Sequence, residues 1–226
     1  MDEPPKAPWT LTDPLEIAIS EGSDRPRFFV LTEEESKQKL EEYKEKLAQC
    51  EQDLVKDPKD GCQGRAAALY ELLLGDRYVE QKRYDEAMAS YVASLNRLGQ
   101  ENENLEKEYE KRLDETKGLE RDPTFYTMTR EHYFARMNFQ TYKDFAEIAR
   151  AQKRIIELLA KTGRENETED KWTFVREAIQ TSAEYKRKFD KNFEALRAIK
   201  DDIPEIYSRY WTDIEQMAES EKINQI

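Results

Sequence analysis

The stretch Leu69–Leu98, LYELLLGDRYVEQKRYDEAMASYVASLNRL, decides the fold predicted for this chain. Its pattern indicates two helices joined by a tight turn just before Tyr84. Gly75 lies inside the first helix, where a glycine costs about 1 kcal/mol relative to alanine. That cost calls for a compensating feature, and we expect a neighbouring helix to approach closely at Gly75.

Small and aromatic residues of the hairpin suit such a close approach. Ala87 and Ser94 are seven residues apart, so they share one face of the second helix and offer little side-chain volume there. Tyr78, Tyr84 and Tyr91 supply large, rigid surfaces around the contact. The pattern therefore predicts a closely packed helical hairpin.

The same positions resemble one tetratricopeptide repeat (TPR). The residues that carry the resemblance are Leu74, Gly75, Tyr78, Tyr84, Ala87, Tyr91, Ser94 and Leu95. The preceding segment, Thr32–Pro58, resembles a degenerate half-repeat, because Lys46, Cys50 and Asp53 replace the small and aromatic residues of the family. An ordinary pair of antiparallel helices is the alternative interpretation of the hairpin.

The TPR resemblance implies a role in protein binding, through a groove lined by the first helix of each repeat. In this sequence the groove-facing positions are Leu69, Leu72, Asp76 and Val79. TPR co-chaperones hold a C-terminal carboxylate there with Lys, Asn and Arg, whereas this chain has Leu72 and Asp76, so we expect a hydrophobic or basic ligand segment. One repeat is fewer than the roughly three that solenoids need, which favours a structural role in a larger assembly.

The rest of the sequence predicts an all-α fold of about six long helices, antiparallel or coiled-coil-like in their packing. Three regions are expected: an extended arm at 1–31, a TPR-like region with a long third helix at 32–122, and a helical bundle at 123–226. Six helices are expected: Thr32 to Asp57, Gln63 to Lys82, one that begins at Tyr84, Pro123 to Thr162, Trp172 to Asp202, and Pro204 to Lys222. The helix that begins at Tyr84 is expected to have about 35 residues and a length of ~50 Å.

The arm at residues 1–31 combines prolines with large apolar side chains. Helical periodicity is broken by Pro4, Pro5, Pro8, Pro14 and Pro26. The apolar side chains that a solvated tail would not need include Trp9, Leu11, Leu15, Phe28 and Phe29. Two interpretations stay open: an arm that lies across a surface of this chain or of a partner, and a disordered tail with stray apolar residues.

Composition favours exposed helices and protein partners. Charged residues make up 38% of the chain and only seven of its 226 residues are glycine, which suits long helices better than a compact α/β core. The net charge of −12 disfavours nucleic acid and anionic membrane surfaces, since both are negatively charged. We expect contact surfaces on other proteins that are basic or apolar.

Few residues could carry catalysis or bind a metal. The one histidine, His132, cannot supply the pair of Glu-x-x-His motifs of a di-iron bundle, and adding Cys50 and Cys62 gives three ligands where structural zinc needs four. No glycine-rich phosphate-binding motif occurs. We predict no catalytic residue, no metal site, no cofactor and no enzymatic activity, with His132 as a surface or partly packed side chain.

The expected location is the cytoplasm, with association with the cytoskeleton as a further option. Two cysteines without a disulfide pattern indicate a reducing compartment. The beginning MDEPPKAPW is acidic and proline-rich, unlike a signal or transit peptide. No apolar run approaches the roughly 18 residues of a transmembrane helix, so we expect no transmembrane segment.

Three functions are compatible with these features. The first is a non-enzymatic, TPR-like adapter or scaffold that assembles or stabilises a multiprotein complex. The second is a cytoskeletal subunit, for example one associated with microtubules or the axoneme, held by its arm and long helices. The third is a membrane-shaping dimer like a BAR domain, which the negative charge disfavours.

Overall fold

The computed structural model describes residues 32–57, 61–116, 123–202, 205 and 208–223, and within them the fold is all-α without a strand. The predicted fold class is thereby confirmed. The helices are α1 Glu33–Lys56, α2 Gly61–Glu80, α3 Tyr84–Thr116, α4 Pro123–Lys161, α5 Glu169–Ala198 and α6 Ser208–Ile223. Short 3₁₀ turns lie at Glu165–Glu167 and Lys200–Asp202. The predicted arm lies outside the described residues.

Local signals in the sequence fix the helix ends. At the start of α1, the Glu35 backbone N–H donates to the Thr32 hydroxyl at 3.2 Å, and the Thr32 N–H donates to the Glu35 carboxylate at 2.7 Å. These two reciprocal hydrogen bonds form a capping box at the predicted start of the helix. Helix α4 begins at Pro123 as predicted, and Gly163 follows its end with φ +75°, the left-handed conformation that glycine adopts most easily.

Helix α2 ends at Glu80, two residues earlier than predicted, because Lys82 adopts the left-handed conformation with φ 59°. The Arg83 N–H donates to the Tyr78 carbonyl at 2.9 Å and the Lys82 N–H to the Val79 carbonyl at 3.1 Å, which forms a Schellman motif. Helix α6 begins at Ser208, later than the predicted start at Pro204.

The helices pack in chain order, α1 on α2, α2 on α3, α3 on α4 and α4 on α5, while α6 packs on α4. Helices α2 and α4 flank α3 and run in the same direction, since Arg65 pairs with Asp144 and, further along both helices, Asp76 pairs with Arg154. The arrangement brings two helices together that are far apart in the sequence.

Two buried clusters form the core. The first core cluster comprises Leu72, Ala87, Tyr91, Ala151, Ile155, Leu158 and Leu159, from α2, α3 and α4. The second comprises Met128, Ala135, Phe189, Leu196, Trp211 and Ile214, from α4, α5 and α6. The first cluster joins residues from both sides of the predicted boundary between 32–122 and 123–226, so packing is continuous across it.

Helices α2 and α3 approach closely at Gly75, as predicted. A Cβ added there would overlap the ring of Tyr91. Ala87 and Ser94 are fully buried, and the Ser94 hydroxyl donates to the Ala68 carbonyl of α2 at 2.8 Å. The small residues therefore permit the approach, and the tyrosine ring fills the space above the glycine.

Helix α3 has 33 residues, and its C-terminal half packs against α4. The rings of Tyr109 and Phe134 lie 4.9 Å apart, and the Arg112 guanidinium lies 5.6 Å from the centre of the Tyr133 ring. None of the described helices is long and apolar enough to cross a membrane.

Candidate binding cleft between α2 and α4

A cleft of about 310 Å³, partly open to solvent, lies between the C-terminal turns of α2 and α4. Because α2 and α4 run in the same direction, their last turns come together beside the first turns of α3. The residues that line this cleft are Asp76, Arg77, Val79, Glu80, Tyr91, Arg154, Glu157, Leu158 and Lys161. Three are acidic and three basic around a smaller set of apolar and aromatic side chains.

Asp76 is held in place from two directions. The Tyr91 hydroxyl donates to its carboxylate at 2.7 Å, and the Arg154 Nε lies 3.2 Å from the same oxygen. Burial, and then the charge of Asp76, raise the pKa of the Tyr91 phenol far above its ordinary value. The phenol therefore stays protonated and remains a hydrogen-bond donor to Asp76.

Other charged groups of the cleft are also paired. Arg77 Nη1 lies 2.9 Å from Glu80 Oε1, and Arg154 Nη1 donates to Glu157 at 3.0 Å. Burial opposes the charged form of Arg154, but Asp76 and Glu157 outweigh that effect and raise its pKa. Arg154 is therefore shared between two carboxylates, Asp76 and Glu157, and Arg77 is paired with Glu80.

Lys161 differs from the other cations of the cleft. Its Nζ lies 5.8 Å from the centre of the Tyr84 ring, and it forms no ion pair with another described residue. A cation–π contact at an exposed site is worth about 0.5–1 kcal/mol, so it holds the ammonium loosely. Lys161 is therefore the group in the cleft that can gain most from a negative charge on a ligand.

An ion pair holds the N-terminal end of α2, opposite the cleft, against the middle of α4. Arg65 Nε donates to Asp144 Oδ1 at 2.9 Å and Arg65 Nη2 to Oδ2 at 3.0 Å, a bidentate arrangement. The Asp144 side chain is only 2% exposed and also accepts from Gln140 at 2.9 Å. Charged pairs thus join α4 to α2 near both ends of α2.

The structure separates the four predicted groove residues. Asp76 and Val79 line the cleft. Leu72 is 4% exposed and packs in the first core cluster with residues of α3 and α4, so its predicted contact with a ligand is corrected. Leu69 is 45% exposed on α2 and is not among the residues that line the cleft.

The expectation of a basic or apolar ligand segment stays a prediction. Asp76, on which its basic part depended, forms an ion pair with Arg154 and accepts a hydrogen bond from Tyr91, both at Oδ1. The predicted arm contacts, Trp9, Leu11, Leu15, Phe28 and Phe29, lie outside the described residues.

Sequence reasoning missed the wall that α4 contributes. Arg154, Glu157 and Lys161 are three and four residues apart, which places them on one helix face. That spacing was a signal available in the sequence. It did not indicate that this face would lie opposite α2.

His132 is buried, whereas a surface or partly packed side chain was expected. Its exposure is 3%, and its Nε2 lies 2.8 Å from Asp213 Oδ2. The ring also meets Tyr210 edge-on at 4.8 Å, so His132 joins α4 to α6. Within the described part of the chain, no group of three or more His, Cys, Asp or Glu side chains could hold a metal ion.

Comparisons of this chain with protein-family models, with curated proteins and with solved structures found no match. The TPR resemblance therefore stays a prediction, and the geometry of the cleft is the basis for a functional proposal.

Proposed function

We propose that this protein is a non-enzymatic scaffold or adapter, TPR-like in its helical hairpin, that binds a segment of a partner protein in the cleft between α2 and α4. The observation that supports this proposal is the cleft itself, with apolar groups between walls of both charges. Such a surface can anchor a side chain and orient the charges around it.

The size of the cleft favours a short segment. Pockets for small ligands span roughly 300–1,000 Å³, and the cleft's volume of about 310 Å³ is at the lower limit. Val79 and Leu158 offer apolar contact, while Lys161 offers a cation. The ligand expected here is a peptide segment with an apolar anchor residue and a nearby carboxylate.

Close packing behind the cleft favours a preformed binding site. Gly75 lies against the ring of Tyr91, and Arg65 pairs with the buried Asp144. Preformed sites lose less conformational entropy when they bind a ligand. The surrounding helices therefore suit recognition without rearrangement.

Reversal of two exposed charges tests the proposal. Glu157→Lys with Lys161→Glu exchanges two charges of the cleft wall four residues apart and leaves the net charge unchanged. The matched control is Glu103→Lys with Lys107→Glu, an exposed pair at the same spacing on α3. Both double variants are expected to keep their helical content. The cleft variant also loses the exposed Arg154–Glu157 pair, a contribution of about 0–1 kcal/mol.

The measurement is affinity capture of the full-length protein from native cells, with quantitative mass spectrometry. A partner recovered by the unaltered protein and by the α3 control, but lost by the cleft variant, supports the scaffold. Equal recovery by all three proteins would exclude the cleft as the binding site.

The lengths of the helices favour a second candidate, a cytoskeletal structural subunit. Helices α3, α4 and α5 have 33, 39 and 30 residues. At 1.5 Å per residue, α4 alone extends about 58 Å. Cosedimentation of the purified protein with microtubules would support this candidate, and protein left in the supernatant at saturating polymer would argue against it.

A further inference from the structure

The start of α1 lies beside the cleft. The Ser36 hydroxyl donates to Glu80 Oε2 at 2.7 Å, and Glu80 is both the last residue of α2 and part of the cleft wall. Thr32, the N-cap of α1, precedes Ser36 by one helical turn, about 6 Å along the axis. The chain before Thr32 therefore joins the described structure at the rim of the cleft.

The apolar pair of residues nearest this junction is within reach of the cleft. Phe28 and Phe29 precede Thr32 by four and three residues. An extended chain spans at most about 3.3–3.6 Å per residue, so Phe28 can lie up to ~14 Å from Thr32. Since Ser36, one turn inside α1, already bonds to Glu80 of the cleft wall, a tether of this length can bring Phe28 to the cleft. A short tether also keeps the segment at an effective concentration of about millimolar.

The chemistry of this segment matches that of the cleft. Residues 24–30 read DRPRFFV, in which the two phenylalanines follow charges of both signs. The phenylalanines suit the apolar surface of Val79 and Leu158. Asp24 can supply a carboxylate to Lys161, and Arg27 can supply a guanidinium to Glu157. Pro26 limits its own φ angle and disfavours helix, which suits an extended ligand.

We propose that residues 24–30 bind in the cleft of their own chain as an intramolecular ligand. The regulatory consequence rests on the proposed function: a partner segment has to displace residues 24–30 before it can occupy the cleft. Binding within one chain is favoured over binding by a second copy, because the tether begins at the rim of the same cleft.

Photocrosslinking of the full-length protein tests this proposal. Phe28→p-benzoylphenylalanine places a photoreactive ring at the anchor position, and Trp9→p-benzoylphenylalanine is the control within the same arm. Crosslinked peptides are mapped by mass spectrometry at several protein concentrations. The expected result for position 28 is a monomeric crosslink to residues 76–80 or 154–161, with a yield that does not change on dilution.

A second variant links the crosslink to the charges of the cleft. Glu157→Lys with Lys161→Glu, combined with the probe at position 28, is expected to lower the rate of crosslinking to the cleft by about tenfold, because two charge contacts become repulsive. Glu103→Lys with Lys107→Glu is expected to leave that rate unchanged.

Three results would overturn the proposal. The first is crosslinking of position 28 to other helices, or no crosslink at all. The second is crosslinking only between copies, with a yield that falls on dilution. The third is equal crosslinking to the cleft from position 9. The proposed function can fail separately from this proposal. A crosslink in the cleft, together with equal capture of the partner by the unaltered protein and by the Glu157→Lys, Lys161→Glu variant, would contradict the scaffold alone.

Discussion

The ring of Tyr91 occupies the space that a side chain at position 75 would need, so Gly75 and Tyr91 together set the distance between α2 and α3. The hydroxyl of the same tyrosine donates to Asp76 at the surface of the cleft. One residue thus connects the packing of the hairpin to the geometry of the candidate binding site.

Substitution of Gly75 tests this close approach. Gly75→Ala is expected to lower the free energy of unfolding by ~1–3 kcal/mol, because the added methyl group overlaps the Tyr91 ring and forces the helices apart. Gly99→Ala in α3 is the control, since a Cβ there meets no atom within 4 Å. It is expected to raise stability by about 0.5–1 kcal/mol. Urea unfolding measures both, and a Gly75→Ala protein as stable as the original would refute the close approach.

Two buried tyrosines are expected to respond differently to the loss of the hydroxyl. Tyr91→Phe removes the 2.7 Å hydrogen bond to Asp76 and is expected to cost about 1–2 kcal/mol of unfolding free energy. The buried hydroxyl of Tyr109 has no hydrogen-bond partner among the described residues, so Tyr109→Phe is expected to be neutral or stabilising. Thermal and urea unfolding would show equal losses for both variants if the Tyr91 bond made no contribution.

Alkaline pH is expected to destabilise the protein partly through Tyr91. Burial and Asp76 raise the pKa of this phenol above its ordinary value of 10.0. Above that pH the unfolded chain loses the proton while the native chain keeps it, so the unfolding free energy falls by up to about 1.4 kcal/mol per pH unit for this group. Tyr91→Phe is expected to make this decline shallower between about pH 10 and 11. Identical slopes for both proteins would contradict the raised pKa.

The end of α4 is also a Schellman motif, since the Arg164 N–H donates to the Leu159 carbonyl at 2.8 Å and the Gly163 N–H to the Ala160 carbonyl at 3.1 Å. It makes a matched pair with the motif at Lys82 for substitution. Lys82 and Gly163 both adopt the left-handed conformation after a helix, with φ 59° and 75°. Lys82→Gly is expected to raise stability by about 1 kcal/mol, because glycine has no Cβ to strain there, and Gly163→Ala is expected to lower it by a similar amount. Differential scanning calorimetry measures both shifts. If both substitutions changed the melting temperature in the same direction, the left-handed conformation would not explain their effects.

The sequence predicted those parts of the fold that depend on neighbouring residues. Thr32 and Glu35 form a cap across one turn, and Gly163 ends α4 through its own backbone conformation. Gly75 indicated a close helix contact because its cost inside a helix needs compensation. In each case the physical cause lies within a few residues, or in one residue that is unusual for its position.

The cleft could not be predicted in the same way. It depends on α2 and α4 lying side by side, and the Arg65–Asp144 pair that holds them is separated by 79 residues. Leu72 has the same chemistry whether a groove ligand or the rest of the core covers it. His132 likewise gave no sign of burial, because its partner Asp213 lies 81 residues away. Contacts between residues so far apart along the chain leave no periodic pattern in a single sequence.

The measurement that tests the scaffold most directly is the affinity of the captured partner for the two charge-exchanged proteins. Glu157→Lys with Lys161→Glu is expected to raise the dissociation constant by about tenfold or more relative to the unaltered protein, whereas Glu103→Lys with Lys107→Glu should leave it unchanged. Equal dissociation constants for all three folded proteins would contradict the proposal that the cleft between α2 and α4 is where this protein binds its partner.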